Sequence, residues 1–203
     1  ETIELTIDTN YVPTWGSWDG VRGFVQNAKD QEDRSRIPME LDYHKTSKLF
    51  GDNTLILRNT HASLSRDVLL LGYTTKEGDS TQRGKFGEGL KLACLALIRS
   101  GCDVMICTNQ EWLVPRMLPS QKFPGRETLH ILIYSKKQGD SSLKAVEVFI
   151  RGLEESAWQE IKTRFLFIHP PKTTVTVKKG WILTEKRYKG QCFVKGIYVS
   201  STS

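Results

Sequence analysis

Apolar and polar residues change their spacing several times along the chain, and each change marks an element. Over Glu1 to Asp8 the apolar Ile3, Leu5 and Ile7 alternate with Glu4 and Thr6, the period of two that predicts an edge or cover strand. From Ser17 the spacing opens to three and four. Trp18, Val21, Val25 and Ala28 then share one helical stripe, predicting a helix to about Asp33 with Ser17 or Thr14 as its cap. Residues 34–53 are polar and without period, ending in the turn Gly51-Asp52-Asn53, after which Thr54-Leu55-Ile56-Leu57-Arg58 reads as a buried strand. A short helix is predicted around Ser65 to Leu71, followed by a glycine-containing stretch from Gly72 to Gly84.

The run Leu92-Ala93-Cys94-Leu95-Ala96-Leu97-Ile98 predicts a helix from about Gly87 to Ser100, stopped by Gly101. Strands are predicted at 103–108, near Trp112, at 128–134 and at 145–151. A helix from Glu154 to Phe165 follows, with acidic residues at its N-terminus as the helix dipole prefers. Strands or hairpins at 173–177, 181–184 and 191–199 finish the chain. The pattern is α+β, with helices on one side and a mixed or antiparallel sheet on the other.

Composition narrows this picture. With 203 residues, 38% of them hydrophobic and 26% charged, the chain suits one globular domain with a sizeable core. No run approaches the roughly 20 apolar residues needed to cross a bilayer, so no membrane partner is expected. Cys94, Cys102, Cys107 and Cys192 form no Cys-x-x-Cys pair, and three of them lie in apolar stretches. That usage points to a reducing, intracellular setting, cytoplasm or nucleus, rather than to a disulfide framework or a zinc site. The net charge of +6 reads either as a solvated surface or as contact with an anionic partner such as nucleic acid.

The strongest chemical signal is Arg83-Gly84-Lys85-Phe86-Gly87-Glu88-Gly89-Leu90-Lys91, directly ahead of the apolar helix. Glycines at this spacing let backbone approach an anion, and the helix start adds unpaired N–H groups and partial positive charge. The alternative is a set of ordinary turn glycines with Phe86 as a core anchor. Neither a P-loop nor a dinucleotide fingerprint fits the spacing.

Taken with Arg22-Gly23-Phe24-Val25-Gln26-Asn27-Ala28-Lys29-Asp30 and the strand at 54–58, the string resembles the GHKL superfamily. This is the ATP-binding domain shared by the ATPase subunit of DNA gyrase, the ninety-kilodalton heat-shock chaperones, sensor histidine kinases and MutL. The helix matches the family's Glu-x-x-x-Asn-Ala-x-Asp box, and Gly72-Tyr73-Thr74-Thr75-Lys76 is similar to its lid. The resemblance implies a two-layer sandwich of Bergerat type over residues 1–203, in which 190–203 begins a following domain of a longer protein. It implies ATP and Mg²⁺ as cofactors. Asn27 would be the metal ligand, Asp30 would stand in a supporting position, and Asn59 would lie at the adenine. Lys76, Gly84, Lys85, Phe86, Gly87, Gly89 and Lys91 would lie around the phosphates. It further implies lid closure that gates association, as in a homodimer, or rearrangement of a neighbouring domain.

Three departures qualify this. Gly23 stands where the family places its general base, so the usual route to hydrolysis is missing; Asp19, one turn earlier, is the candidate substitute, beside Gln26 and Glu88. Arg58-Asn59-Thr60-His61-Ala62 replaces the family's Asp-x-Gly-x-Gly, which leaves Asn59 as an adenine acceptor and His61 to stack on the base or to shape a turn. No Thr precedes the strand at 144–150, where Ser141 or Ser142 would have to stand in. The competing reading is a non-hydrolysing scaffold or a nucleic-acid- or protein-binding module on the same fold.

Overall fold

A computed structural model describes residues 1–66, 86–108, 111–136 and 144–202, with only the backbone of Phe86 and Gly87. Residues 67–71 of the short helix expected around Ser65 to Leu71, the lid stretch with Lys76, the residues Gly84 and Lys85, and Ser141 and Ser142 lie outside the described residues. The chain divides into two compact units, Glu1–Leu153 and Glu154–Ser203.

The first unit is built on a seven-stranded antiparallel sheet. Its strands are β1 (Thr2–Asp8), β2 (Glu40–His44), β3 (Thr54–Thr60), β4 (Asp103–Cys107), β5 (Glu111–Pro119), β6 (Glu127–Ser135) and β7 (Ala145–Arg151). They lie in the order β1-β6-β5-β4-β7-β3-β2, every neighbouring pair antiparallel. Two α-helices, α1 (Ser17–Ser35) and α2 (Phe86–Arg99), pack on each other and on this sheet, α1 against β3 and α2 against β4 and β5. The α+β class therefore holds, with a sheet that is wholly antiparallel among the described strands.

Register explains where the core lies. Leu57 is paired with Val148, Val148 with Ile106, Ile106 with Leu113 and Leu113 with Ile133, giving one buried apolar row across five strands. Residues directly opposite share a face, so this row and its neighbours Leu55, Ile150 and Val104 form a continuous apolar surface under the helices. The other face alternates accordingly. It carries the ion-paired Glu40, Arg58 and Glu147, and beside them Ile56, Cys107 and Phe149 packed with Phe50, Met105 and Trp112.

Several boundaries differ from the expected ones. β2 lies inside the stretch read as irregular; it has only Leu41 and Tyr43 to turn inward, enough for an edge strand beside β3. β5 runs nine residues through Pro115, although Pro has no N–H for a ladder. Its pairing with β4 covers only Trp112 and Leu113, so Pro115 keeps a partner on the β6 side alone. The α1 cap is Gly16 rather than Ser17 or Thr14, and the Asp19 carboxylate accepts the Gly16 N–H at 3.0 Å. Trp18 is only half-buried, with the Arg22 guanidinium 5.9 Å from its ring, and Phe24 takes the inward position in the stripe.

The second unit contains α3 (Glu155–Lys162), the hairpin of β8 (Thr174–Val177) with β9 (Gly180–Leu183), and the hairpin of β10 (Gln191–Val194) with β11 (Ile197–Ser201). The last hairpin turns at Lys195 and Gly196, both left-handed, and is held by Leu166 N–H to the Gly196 carbonyl and Tyr198 N–H to the Arg164 carbonyl. The β10–β11 hairpin is thus bonded to the segment just after α3.

Candidate functional site

The site predicted from sequence depends on how α1 meets α2, and that contact is unusually close. A Cβ on Gly20 would lie 2.5 Å from Leu97 Cγ and 3.0 Å from the Ala93 carbonyl oxygen; one on Gly23 would lie 3.0 Å from Ala93 Cβ and 3.8 Å from the Gly89 carbonyl oxygen. The contacts step backward along α2 as α1 advances, so the two helices run antiparallel. One turn beyond Gly23, about 6 Å along the axis, Asn27 comes level with the first turn of α2, where the glycine string opens the helix. The helix bearing the Asn and the N-terminus bearing Gly87 and Gly89 are therefore brought to one end of the layer.

Asn27 itself is half-buried, and its amide has no hydrogen-bond partner among the described residues. Asn59, on β3, is buried and donates from Nδ2 to the Ala28 carbonyl at 3.1 Å. That bond orients the Asn59 amide and places it beside the residue following Asn27, with its oxygen turned away from the Ala28 carbonyl. Asp30 lies on the same helix, partly exposed. Gly89 is exposed and has open space where a Cβ would be. Lys91, in the second turn of α2, is buried; burial lowers its ammonium below the ordinary lysine value, and Glu88 works in the opposite direction.

Other expected residues are placed elsewhere. Both Asp19 oxygens are engaged, one by the Gly16 N–H and one by Arg22 at 3.3 Å, two turns of helix from Asn27. Arg58 points to the opposite face of the sheet from Asn59, where Glu147 at 2.6 Å and Glu40 at 3.0 Å hold it. Those two carboxylates raise the Arg58 pKa, the Glu147 hydrogen bond most of all, against burial. His61 is exposed in a left-handed turn with its N–H bonded to the Lys144 carbonyl.

Two structural contributors escape a motif-based reading. Gly20 is one, although two glycines three apart inside a helix were themselves a signal, since each costs about 1 kcal/mol there unless something needs the space. Arg99 is the other. At the C-terminus of α2 it donates to the carbonyls of Thr9, Tyr11, Val12 and Trp15 at 2.6–3.1 Å, and so fixes the loop that feeds α1.

A divalent cation has few direct ligands here. Among the described residues no group of three His, Cys, Asp or Glu could hold a metal. The donor set does suit a hard cation held mainly by a polyphosphate, with one neutral amide oxygen from Asn27. Comparison of the chain with protein-family models, with curated proteins and with solved structures finds no match.

Proposed function

We propose that residues 1–153 form an Mg-ATP-binding module of GHKL type with little or no hydrolysis. The observation that carries this reading is the antiparallel α1–α2 contact, which brings Asn27 level with the glycine-string N-terminus while Asn59 is tied to the adjoining Ala28.

In this reading the Asn59 oxygen accepts from the adenine amino group, and the amide is held in that sense by its own bond to Ala28. The first turn of α2 donates backbone N–H groups to phosphate, and the desolvated Lys91 adds positive charge nearby. Asn27 would hold Mg²⁺ through its side-chain oxygen, and the bound ion supplies neutralisation of the triphosphate charge. Lys76, Gly84 and Lys85 belong to the segment that would close over the nucleotide and gate association or a domain rearrangement.

The absence of turnover follows from packing as much as from composition. Gly23 offers no proton acceptor, and the direction in which a side chain would leave it meets Ala93. Asp19 is engaged in capping α1 and in its contact with Arg22, so it makes a poor substitute base.

Calorimetric titration of the chain with ATP and Mg²⁺, followed by a phosphate-release assay, tests both parts. Saturable binding is expected, weakened at least tenfold in Asn27→Ala, with phosphate release at background. Release should rise in Gly23→Glu combined with Ala93→Gly, which frees the space, and less in Gly23→Glu alone. No binding of nucleotide would overturn the reading, and brisk hydrolysis by the unaltered chain would overturn its second half.

A further inference from the structure

The net positive charge of this protein comes from one end of the chain. Of its 29 Lys and Arg and 23 Asp and Glu, seven basic residues and one acidic residue follow Pro171, which accounts for the whole net charge of +6; residues 1–171 carry 22 of each sign. Glu185 is that single acid, and it is engaged by Arg187 at 3.1 Å and by the Lys172 N–H. Lys178, Lys179, Lys186 and Lys189 are exposed and have no ion-pair partner among the described residues.

The hairpin of β8 and β9 presents this charge together with exposed apolar and aromatic surface. Its turn is Lys178-Lys179, and the next residues are Gly180 and Trp181. Trp181 is 72% exposed, the most exposed aromatic side chain of the described residues. It stands opposite Thr176, on a face it shares with Thr174, while Val175, Val177 and Ile182 line the other face and are likewise exposed. A lone two-stranded ribbon is marginally stable in water, and exposed residues of this kind on it are a cost unless they are used.

We propose that this hairpin binds single-stranded nucleic acid, with Lys178 and Lys179 on the phosphate backbone and Trp181 stacking on a base. Lysines beside an aromatic ring with free faces are the means by which single strands are held without sequence readout. The ribbon is unsuited to insertion in a bilayer, because the tip that would enter first carries two ammonium groups. It also separates its apolar side chains onto both faces instead of one. The inference is independent of nucleotide binding by residues 1–153 and stands if that reading fails.

Fluorescence anisotropy of the whole chain with end-labelled single-stranded DNA, single-stranded RNA and a duplex of equal length provides the test, without ATP and at several salt concentrations. Both single strands, or one of them, should bind more tightly than the duplex. Lys178→Gln with Lys179→Gln should flatten the slope of log affinity against log salt by about 1.4, at about 0.7 per phosphate contact. Trp181→Ala should weaken binding on the order of tenfold, the scale of a lost base–aromatic stack, with little change in salt slope. Lys178→Arg with Lys179→Arg should restore the slope. Failure of any oligonucleotide to bind at low salt would overturn the proposal. Binding that ignores these substitutions, duplex preference, or capture by anionic phospholipid vesicles in place of single strands would overturn it equally.

Discussion

Gly20→Ala should destabilise the protein even though alanine is the better helix former. In an open helix interior the change would add about 1 kcal/mol of stability. Here the added methyl would lie 2.5 Å from Leu97 Cγ and 3.0 Å from the Ala93 carbonyl oxygen, whereas packed carbon atoms rest about 3.5–4.0 Å apart. Neither neighbour yields easily, since Cγ is the branch point of a fully buried leucine and the oxygen belongs to the backbone of α2. The helices would have to separate by roughly 1 Å in an interior without slack, and overpacking of that kind costs about 1–3 kcal/mol. An approach as close as 2.5 Å puts the cost toward the upper end of that range, so the steric effect wins, leaving a net loss of up to about 2 kcal/mol. Gly23→Ala supplies the control. Its methyl would meet Ala93 Cβ at 3.0 Å, an approach relieved by a few tenths of an ångström, so the opposing effects nearly cancel. Both changes carry the same helix-propensity gain, and the difference between them isolates the contact. Urea unfolding followed by tryptophan fluorescence should give Gly20→Ala a midpoint lower than that of Gly23→Ala by on the order of 0.5–1 M, with unchanged slope. Equal midpoints, or a higher one for Gly20→Ala, would refute the close helix contact and with it the alignment of Asn27 on the α2 terminus.

Acid should weaken the first unit. The Arg66 hydrogen bond holds the Glu111 carboxyl below the ordinary value of 4.5; at Glu32 burial acts to raise it, but hydrogen bonds from Lys29 and from the Met39 N–H outweigh burial. Carboxylates with lowered folded-state pKa values stabilise the protein above that ordinary value, and the contribution is lost as the pH falls through the folded values. Urea midpoints should be flat from about pH 7 to 5 and then drop, with a smaller drop in Glu111→Gln; a midpoint that holds steady to about pH 3 would contradict this. Thiol titration of the native chain should find one of the four cysteines, Cys192, reacting quickly, while Cys94, Cys102 and Cys107 are buried and burial pushes the Cys94 thiol up to about 12. Rapid modification of two or more would show that the α2–sheet core opens readily.

The elements that were easiest to read are those whose pattern is set by local burial. α1, β6 and β7 carry apolar residues at the period of the element they form, β3 and α2 are continuous apolar runs bounded by turn or stop signals, and the observed bounds of all five lie within two residues of the expected ones. β2 and β5 were harder because neighbours, and not their own composition, hold them in the sheet. Leu41 and Tyr43 become inward-facing only because β3 offers Leu57 and Leu55 opposite them, and Pro115 is tolerated only because β4 stops short of it. At the candidate site the residue types were visible: Gly89 stood out by its spacing, and Asn27, Asn59 and Lys91 were singled out by the resemblance to the GHKL motifs. The engagement of Asp19 in the helix cap and the turning of Arg58 to the far face could not, since each depends on a partner's position.

Sequence alone determined the α+β class, the Asn-bearing helix, the glycine string and the presence of a glycine, with no side chain, at position 23, because these reside in local periodicity and residue identity. The tertiary structure decided that β7 enters between β3 and β4, joining two groups of strands into one sheet. It also decided that Gly23 is a place where two helices touch. A glycine reads the same in a string whether its missing Cβ makes way for a ligand, a turn or another helix, and only the atoms packed against it tell these apart.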